Sequence, residues 1–333
     1  MDRSTFFKSL ATGAAVSLAS SGKASAAQPQ GSASRGKQTR KLASGVLTGS
    51  QPETSGVRLL GKEKDFTLWT PDIKAGYTVK QGEIVLLELG HGMPGLVTRD
   101  GTFRKAGPGA KINPQTGPVY VEGVKAGDGI AIDLLEIHVG DWGYSGGKVY
   151  EFSDGYVQFS DELRLPLLPM LGCLGVAPAQ GSLDTKAPGE TGGNMDCKEV
   201  RAGSTVAFTA GVDGAMVGMG DTHALQGDGE IRGQGLECDS MVLARFRALP
   251  EPLSPRPVIL RPEFVATVGA MVDMNEACWQ ATDDMTNLLV AVTGRDKKEA
   301  RALVNLVGDL KVNQIVDPVK GARMEVPSWV FGV

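Results

Sequence analysis

Gly129-Ile-Ala-Ile-Asp-Leu-Leu-Glu-Ile137 is a short aliphatic run opened by the turn Lys125-Ala-Gly-Asp128 and followed by His138 and Gly140. A bounded run of this length and composition reads as a β-strand. Upstream, Val119-Tyr-Val-Glu122 reads as the strand that this turn joins to it, and Glu83-Ile-Val-Leu-Leu-Glu-Leu89 as another. Downstream, Ser204 to Ala210, Ala215 to Met219, Leu236 to Phe246 and Val258 to Val268 repeat the pattern, each closed by Gly, Pro or Asp. The 45 glycines, against 4 Trp, 5 Tyr and 10 Phe, favour tight turns over a helical bundle. Residues 57–270 are therefore expected to form a mainly β unit, a jelly-roll-like sandwich or barrel core.

The period changes after 270. Met274, Ala277, Cys278, Ala281, Met285, Leu288, Leu289 and Val292 recur at intervals of three and four, which predicts a helix over 273–293. Asp296 and Glu299 form an acidic capping box for a second helix, with Ala300, Leu303, Val304 and Val307 as its buried stripe. Lys311 to Val316 reads as a strand. Residues 271–333 are expected to be an α+β part packed on the β core, and the Met and Cys stripe is core rather than a cofactor site.

Ahead of the core, Arg3 and Lys8 precede the small apolar stretch Leu10 to Ala19, and Ala24-Ser-Ala26 supplies a cleavage site. Residues 1–27 are expected to be a secretory signal, too short in its apolar part to remain as an anchor, so the chain is expected to be periplasmic or secreted. The opening Asp-Arg-Ser-Thr-Phe-Phe-Lys resembles a twin-arginine signal with Ser4 at the second arginine, which leaves the export route open. Residues 28–56, rich in Gln, Ser, Gly and Lys, read as a mobile leader. The net charge of −4 and the lack of a basic block beyond the N-terminus argue against nucleic acid or acidic lipid as partners and favour a small neutral ligand. Cys173, Cys197, Cys238 and Cys278 have no C-x-x-C spacing, so neither a redox pair nor a cysteine-rich metal site is expected.

Three clusters can carry chemistry. Gly220-Asp-Thr-His-Ala-Leu-Gln-Gly-Asp-Gly-Glu230 follows an apolar strand, and its Asp221 and His223 share a side on an extended backbone. Such a loop could hold a metal, hold a water molecule, or be a solvated hairpin turn. Pro188-Gly-Glu-Thr-Gly-Gly-Asn-Met-Asp196 places Asn194 and Asp196 at the same spacing, with an Asx turn as the plain alternative. His91 follows Glu88-Leu-Gly at a strand end. His138 reads as an ordinary edge histidine. Cys197 is the rival nucleophile, but no base lies near it in sequence and it reads as structural.

These motifs carry a resemblance. Gly117-Pro-Val-Tyr-Val-Glu-Gly123, Gly172-Cys-Leu-Gly-Val-Ala-Pro178, Gly192-Gly-Asn-Met-Asp196, Gly220 to Glu230 and Gly308 to Asp317 stand in the order seen in acetamidase/formamidase proteins, so residues 60–330 resemble that family. The resemblance implies a mostly β fold and hydrolysis of a small linear amide to ammonia and a carboxylic acid. Two positions depart from the family's pattern: Thr191 stands where Pro-Gly-x-His-Gly-Gly-Asn has its histidine, and His91 where relatives tend to carry Asp. The resulting expectation is a divalent metal, zinc, held by His91, Asp196, Asp221 and His223. Glu230 would shuttle the proton, Asp228 would assist it, and Asn194 or the backbone of Gly192 and Gly193 would meet the oxyanion, with Gln226 also against substrate. A homo-oligomer is expected. The competing class is an exported small-ligand-binding protein that has kept the fold and lost catalysis.

Overall fold

The computed structural model describes residues 56–332. The expected signal and all of the leader but Gly56 lie outside the described residues. Two sheets face each other. The larger runs in the order Arg58–Leu60, Ile84–Leu89, Ser240–Leu249, Gly129–Val139, Ser204–Thr209, Val258–Leu260, Phe264–Met271, Lys320–Pro327 and Asp309–Gln314. The smaller runs Pro188–Gly189, Gly192–Asn194, Met170–Gly175, Val217–His223, Gln115–Val121 and Asp65–Phe66, with Tyr77–Val79 also paired to Gln115–Val121. The mainly β sandwich expected from the sequence is therefore present.

The run Gly129–Val139 shows how the layers form. Ile130, Ile132 and Leu134 alternate into the space between the sheets, against Val119, Val121, Leu174, Val217 and Met219 of the smaller sheet. Ala131 faces the other way, toward the helices. The pairing to Ser240–Leu249 shifts register between Leu243 and Ala244, opposite Glu136 and Leu134. That bulge turns Ile137 back into the same core as Leu134. Lys125 to Asp128 is a turn as expected, but Gln115–Val121 and Gly129–Val139 do not pair across it, because the turn carries the chain from one sheet to the other. The expected strand over Val258 to Val268 is two antiparallel strands that reverse at Arg261 to Glu263.

On the outer face of the larger sheet lie two helices, α1 (Met274–Thr293) and α2 (Lys297–Val307). Ala281, Met285, Leu288 and Leu289 of α1 pack on Ala207, Val258, Leu260 and Val265. Asp273 caps α1 by accepting from Glu276 N, and Asp296 caps α2 by accepting from Glu299 N at 2.8 Å. The Glu299 carboxylate pairs with Arg295 instead of completing the box. The C-terminal strands Asp309–Gln314 and Lys320–Pro327 extend the larger sheet rather than forming a layer of their own. A separate four-stranded sheet spans Trp142–Ser145, Lys148–Ser153, Tyr156–Gln158 and Arg164–Pro166. Single bridges from Glu237 to both Tyr144 and His223 tie it to the smaller sheet. All four cysteines are free, three of them buried.

Candidate metal and catalytic centre

Met170–Gly175 lies between Val217–His223 and Gly192–Asn194, so it brings the end of each neighbour to one place. Asp221 and His223 arrive on the first and Asp196 just beyond the second. One donor atom of each lies within 4.8 Å of the other two, and all three residues are buried. Gly172 makes the convergence possible: a methyl group there would lie 2.6 Å from Asp221 Oδ2 and 2.7 Å from Asp196 Oδ1. Asp196, Asp221 and Glu230 all hold positive φ, at 43°, 56° and 44°. For non-glycine residues this strain is of order 1–3 kcal/mol each, of the kind that clusters at functional sites.

The donors are held from behind. Asn194 Nδ2 donates to Asp196 Oδ2 at 2.8 Å and Asn113 Nδ2 to Asp221 Oδ2 at 3.2 Å. In each carboxylate the other oxygen, Oδ1, is buried and has no hydrogen-bond partner among the described residues. Gln226 donates Nε2–H to the Asp196 carbonyl at 2.7 Å, which turns its Oε1 toward His223 Nδ1 at 2.6 Å. A proton on Nδ1 satisfies that contact, so Nε2 is left to face the carboxylates. His223 Nε2 is also unpartnered by hydrogen-bond geometry, 3.6 Å from Asp221 Oδ1 and 3.2 Å from Glu237 Oε1.

The electrostatics show a site short of positive charge. Burial opposes a charge on the His223 ring, but Glu237 and Asp221 outweigh it and hold its pKa well above the usual value. Burial and the neighbouring Glu230 and Asp221 carboxylates push Asp196 well above the usual carboxylate range. Burial likewise lifts Glu230 and Glu237 to about 7, partly offset in each by His223. Four unsatisfied buried atoms, Asp196 Oδ1, Asp221 Oδ1, His223 Nε2 and Glu237 Oε2, in a centre this acidic fit a divalent cation. Binding such a cation displaces the protons that the acids and the ring otherwise retain.

The expected residues separate into groups. Asp196, Asp221 and His223 converge, and Glu230 stands beside them with Asp221 and Asp317 as electrostatic neighbours. His91 is outside the converging group. Its ring packs edge-on to Tyr144 and Trp142, and its Nδ1 lies 3.3 Å from the Tyr144 hydroxyl. Asp228 lies outside the converging group: Arg323 grips both its oxygens at 2.8 and 3.1 Å and Lys198 adds a third contact at 2.8 Å. Burial acts against its charge, yet Arg323 and Lys198 hold its pKa below the ordinary range. Gln226 is committed to His223 Nδ1 and the Asp196 carbonyl. Gly192 and Gly193 sit inside a ladder, flanked by Gly175 and Leu174 on one side and Gly189 and Pro188 on the other. Asn194 Nδ2 is committed to Asp196 and Asp317. His138 is buried in an interior strand, with Nε2 against Glu136 Oε2 at 2.6 Å. The Cys197 thiol is buried, and burial pushes it up to about 11 despite Arg323 nearby.

Sequence reasoning missed Glu237, Asn113 and Asp317. Asn113 and Asp317 reach the centre from segments remote in sequence, and Glu237 is placed by the bridges to His223 and Tyr144. The Cys-x-x-rich or His-x-x-His patterns that reveal local metal sites have no counterpart here, since only Asp221 and His223 are close in sequence.

Fold and centre together define a two-sheet β protein with a buried carboxylate and imidazole cluster suited to a divalent ion. The chain belongs to the acetamidase/formamidase family: residues 170–331 match the Acetamidase/Formamidase family model, and a solved acetamidase from Bacillus halodurans is 31% identical. That structure superposes with a TM-score of 0.77, covering 82% of this chain and 98% of its own. A predicted acetamidase/formamidase from Thermoanaerobacter tengcongensis is 29% identical, with a TM-score of 0.79 over 86% of this chain and 98% of its own. An acetamidase of Mycolicibacterium smegmatis is 26% identical over 244 residues, 49% of this chain but 60% of that relative's length.

Proposed function

We propose that this chain hydrolyses the C–N bond of a small linear amide, of the size of formamide or acetamide, to ammonia and a carboxylic acid. Family membership supports the reaction class, and the observation that carries the site is the convergence of unsatisfied donors on Asp196, Asp221 and His223. These three would hold a divalent cation, zinc by the mixed carboxylate and imidazole chemistry, with Glu237 as the adjoining donor. When bound, such an ion supplies Lewis-acid polarisation of a carbonyl and acidification of water.

The chain's own residues do the rest. Asn113 and Asn194 fix the carboxylates of Asp221 and Asp196 so that one oxygen of each faces inward. Gln226 fixes the His223 tautomer and ties it to the Asp196 backbone. Glu230, held near 7 by burial, is suited to take the proton from the attacking water and return it to the leaving nitrogen. Asp196, Asp221, His223 and Glu230 are all buried, which keeps this chemistry away from bulk water.

Export and a homo-oligomeric state belong to the same proposal. The sequence of residues 1–27 supports the first, and exposed Trp279, Leu306 and Trp329 on the helical side support the second. Among the described residues no helix is long and apolar enough to cross a membrane. Ammonia release from formamide, acetamide and propionamide tests the reaction. Turnover that is lost in Glu230→Gln supports the reading, and a wild-type chain that binds amides but releases no ammonia would replace it with the binding-protein alternative.

A further inference from the structure

We propose that His91 is a neutral hydrogen-bond donor, through Nε2–H, to the carbonyl oxygen of the bound amide, and that Tyr144 is the positioning residue that sets its tautomer. This rests on the amide-hydrolase reading above, and it gives His91 a task other than the metal ligation expected from the sequence.

The tautomer follows from the partners of Nδ1. The Met93 backbone N–H donates to Nδ1 at 3.3 Å, and the Tyr144 hydroxyl lies 3.3 Å from the same atom. A proton on Nδ1 would oppose the Met93 N–H donor to donor, so Nδ1 presents its lone pair and the hydroxyl donates to it. A neutral ring that accepts at Nδ1 carries its proton on Nε2. Neutrality is favoured by burial and by Lys62, which together outweigh Asp239 and lower the ring's pKa. With its proton there, Nε2 has no lone pair to offer a metal.

Nε2 is also free to act. It has no hydrogen-bond partner among the described residues, and it keeps contact with solvent in a residue only 7% exposed. The small accessible area of His91 therefore includes Nε2. Its location is fixed from two sides. Asp239 Oδ1 accepts the His91 backbone N–H at 2.8 Å. The next residue, Gly92, is so near the centre that a methyl group there would lie 3.0 Å from Asp221 Oδ1 and 3.2 Å from Glu237 Oε2. The bridges His223 to Glu237 and Glu237 to Tyr144 place those three side chains in a row on one face, with His91 against the last.

Hydrolysis needs a donor where the carbonyl oxygen gains negative charge, and a centre crowded with carboxylates repels that charge. The other candidates are committed: Asn194 to Asp196 and Asp317, Asn113 to Asp221 and Asn194, and Gly192 and Gly193 to their ladder. The Nε2–H of His91 is an uncommitted donor at the edge of this row.

Two measurements on the full-length, zinc-supplemented protein test it. Long-range 1H–15N spectra of protein enriched in 15N-histidine, with His91 assigned by its loss in His91→Gln, are expected to show Nδ1 unprotonated and Nε2 protonated, and Tyr144→Phe to shift the ring toward a tautomer mixture. His91→Ala is expected to lower kcat on acetamide by roughly 100-fold, with KM and zinc content unchanged, and His91→Gln to recover part of the loss. A protonated Nδ1 in the wild type, an unaltered kcat in His91→Ala, or loss of zinc from that variant each overturns the inference and leaves amide hydrolysis standing. No ammonia from the wild type refutes the reading beneath it, while the spectra still decide the tautomer.

Discussion

Substituting Gly172→Ala perturbs the cation cradle where its two carboxylates come close to the backbone. Gly172 has no positive φ, so alanine imposes no backbone strain, and the effect falls on what its methyl group meets. That methyl would lie 2.6 Å from Asp221 Oδ2, 2.7 Å from Asp196 Oδ1 and 2.9 Å from the Asp221 backbone carbonyl oxygen. Ordinary carbon–oxygen contacts are about 3.4 Å or more, so both carboxylates, and the Asp221 backbone with them, must retreat by a large part of an ångström from where they converge. Displacements of ligand orientation of this kind cost roughly 10- to 100-fold in metal affinity, or about 1.4 to 2.7 kcal/mol. Gly227→Ala in the nearby loop is the control, because nothing lies within 4 Å of its added methyl. Calorimetric titration of the metal-stripped proteins with zinc is expected to show weakened binding in Gly172→Ala and wild-type binding in Gly227→Ala. Equal affinity in wild type and Gly172→Ala would refute the cradle.

Other parts of the account make separate predictions. Gln226→Ala leaves His223 Nδ1 and the Asp196 carbonyl without their partner and is expected to weaken zinc binding by about 10- to 100-fold, with a loss of about 1 to 3 kcal/mol of stability in the metal-free state; equal zinc affinity would count against its positioning role. Arg323→Met leaves Asp228 and Glu325 with only Lys198 and Lys311 as counter-ions and is expected to cost up to about 3 kcal/mol in urea unfolding. Asp133 is buried, but Arg247, Thr205 and Arg245 hold its pKa below the ordinary value. Its stabilisation is therefore present above the unfolded pKa of about 3.9 and lost as pH falls below it; Asp133→Asn is expected to flatten melting temperature against pH in that window. Iodoacetamide at neutral pH is expected to leave amidase activity intact, since the Cys197 thiol is buried and raised to about 11.

The legible parts of the sequence were those whose physics is local. Ile84–Leu89, Gly129–Val139 and Ser204–Thr209 are bounded apolar runs, and α1 shows its stripe at helical spacing. Lys320–Pro327 was not anticipated, because Arg323 and Glu325 interrupt the apolar pattern of a buried strand. Only the structure shows them neutralising each other and Asp228. The same network explains why Asp228 looked catalytic within its loop: its partner lies 95 residues away. Asp196, Asp221 and His223 could be read from polar residues beside glycines, whereas Glu237 and Asn113 depend on how distant segments cross the sheet end. His91 stands out as a residue, but its contacts with Met93 and Tyr144, on which its role depends, are not written in local spacing.

The most direct test of the central claim is ammonia release from acetamide by the purified protein before chelation, after chelation, and after zinc is restored. Turnover that disappears with the metal and returns with zinc in the wild type, but stays absent in Asp221→Asn, is the predicted result. Turnover that survives complete removal of metal would contradict the assignment of Asp196, Asp221 and His223 as its holders.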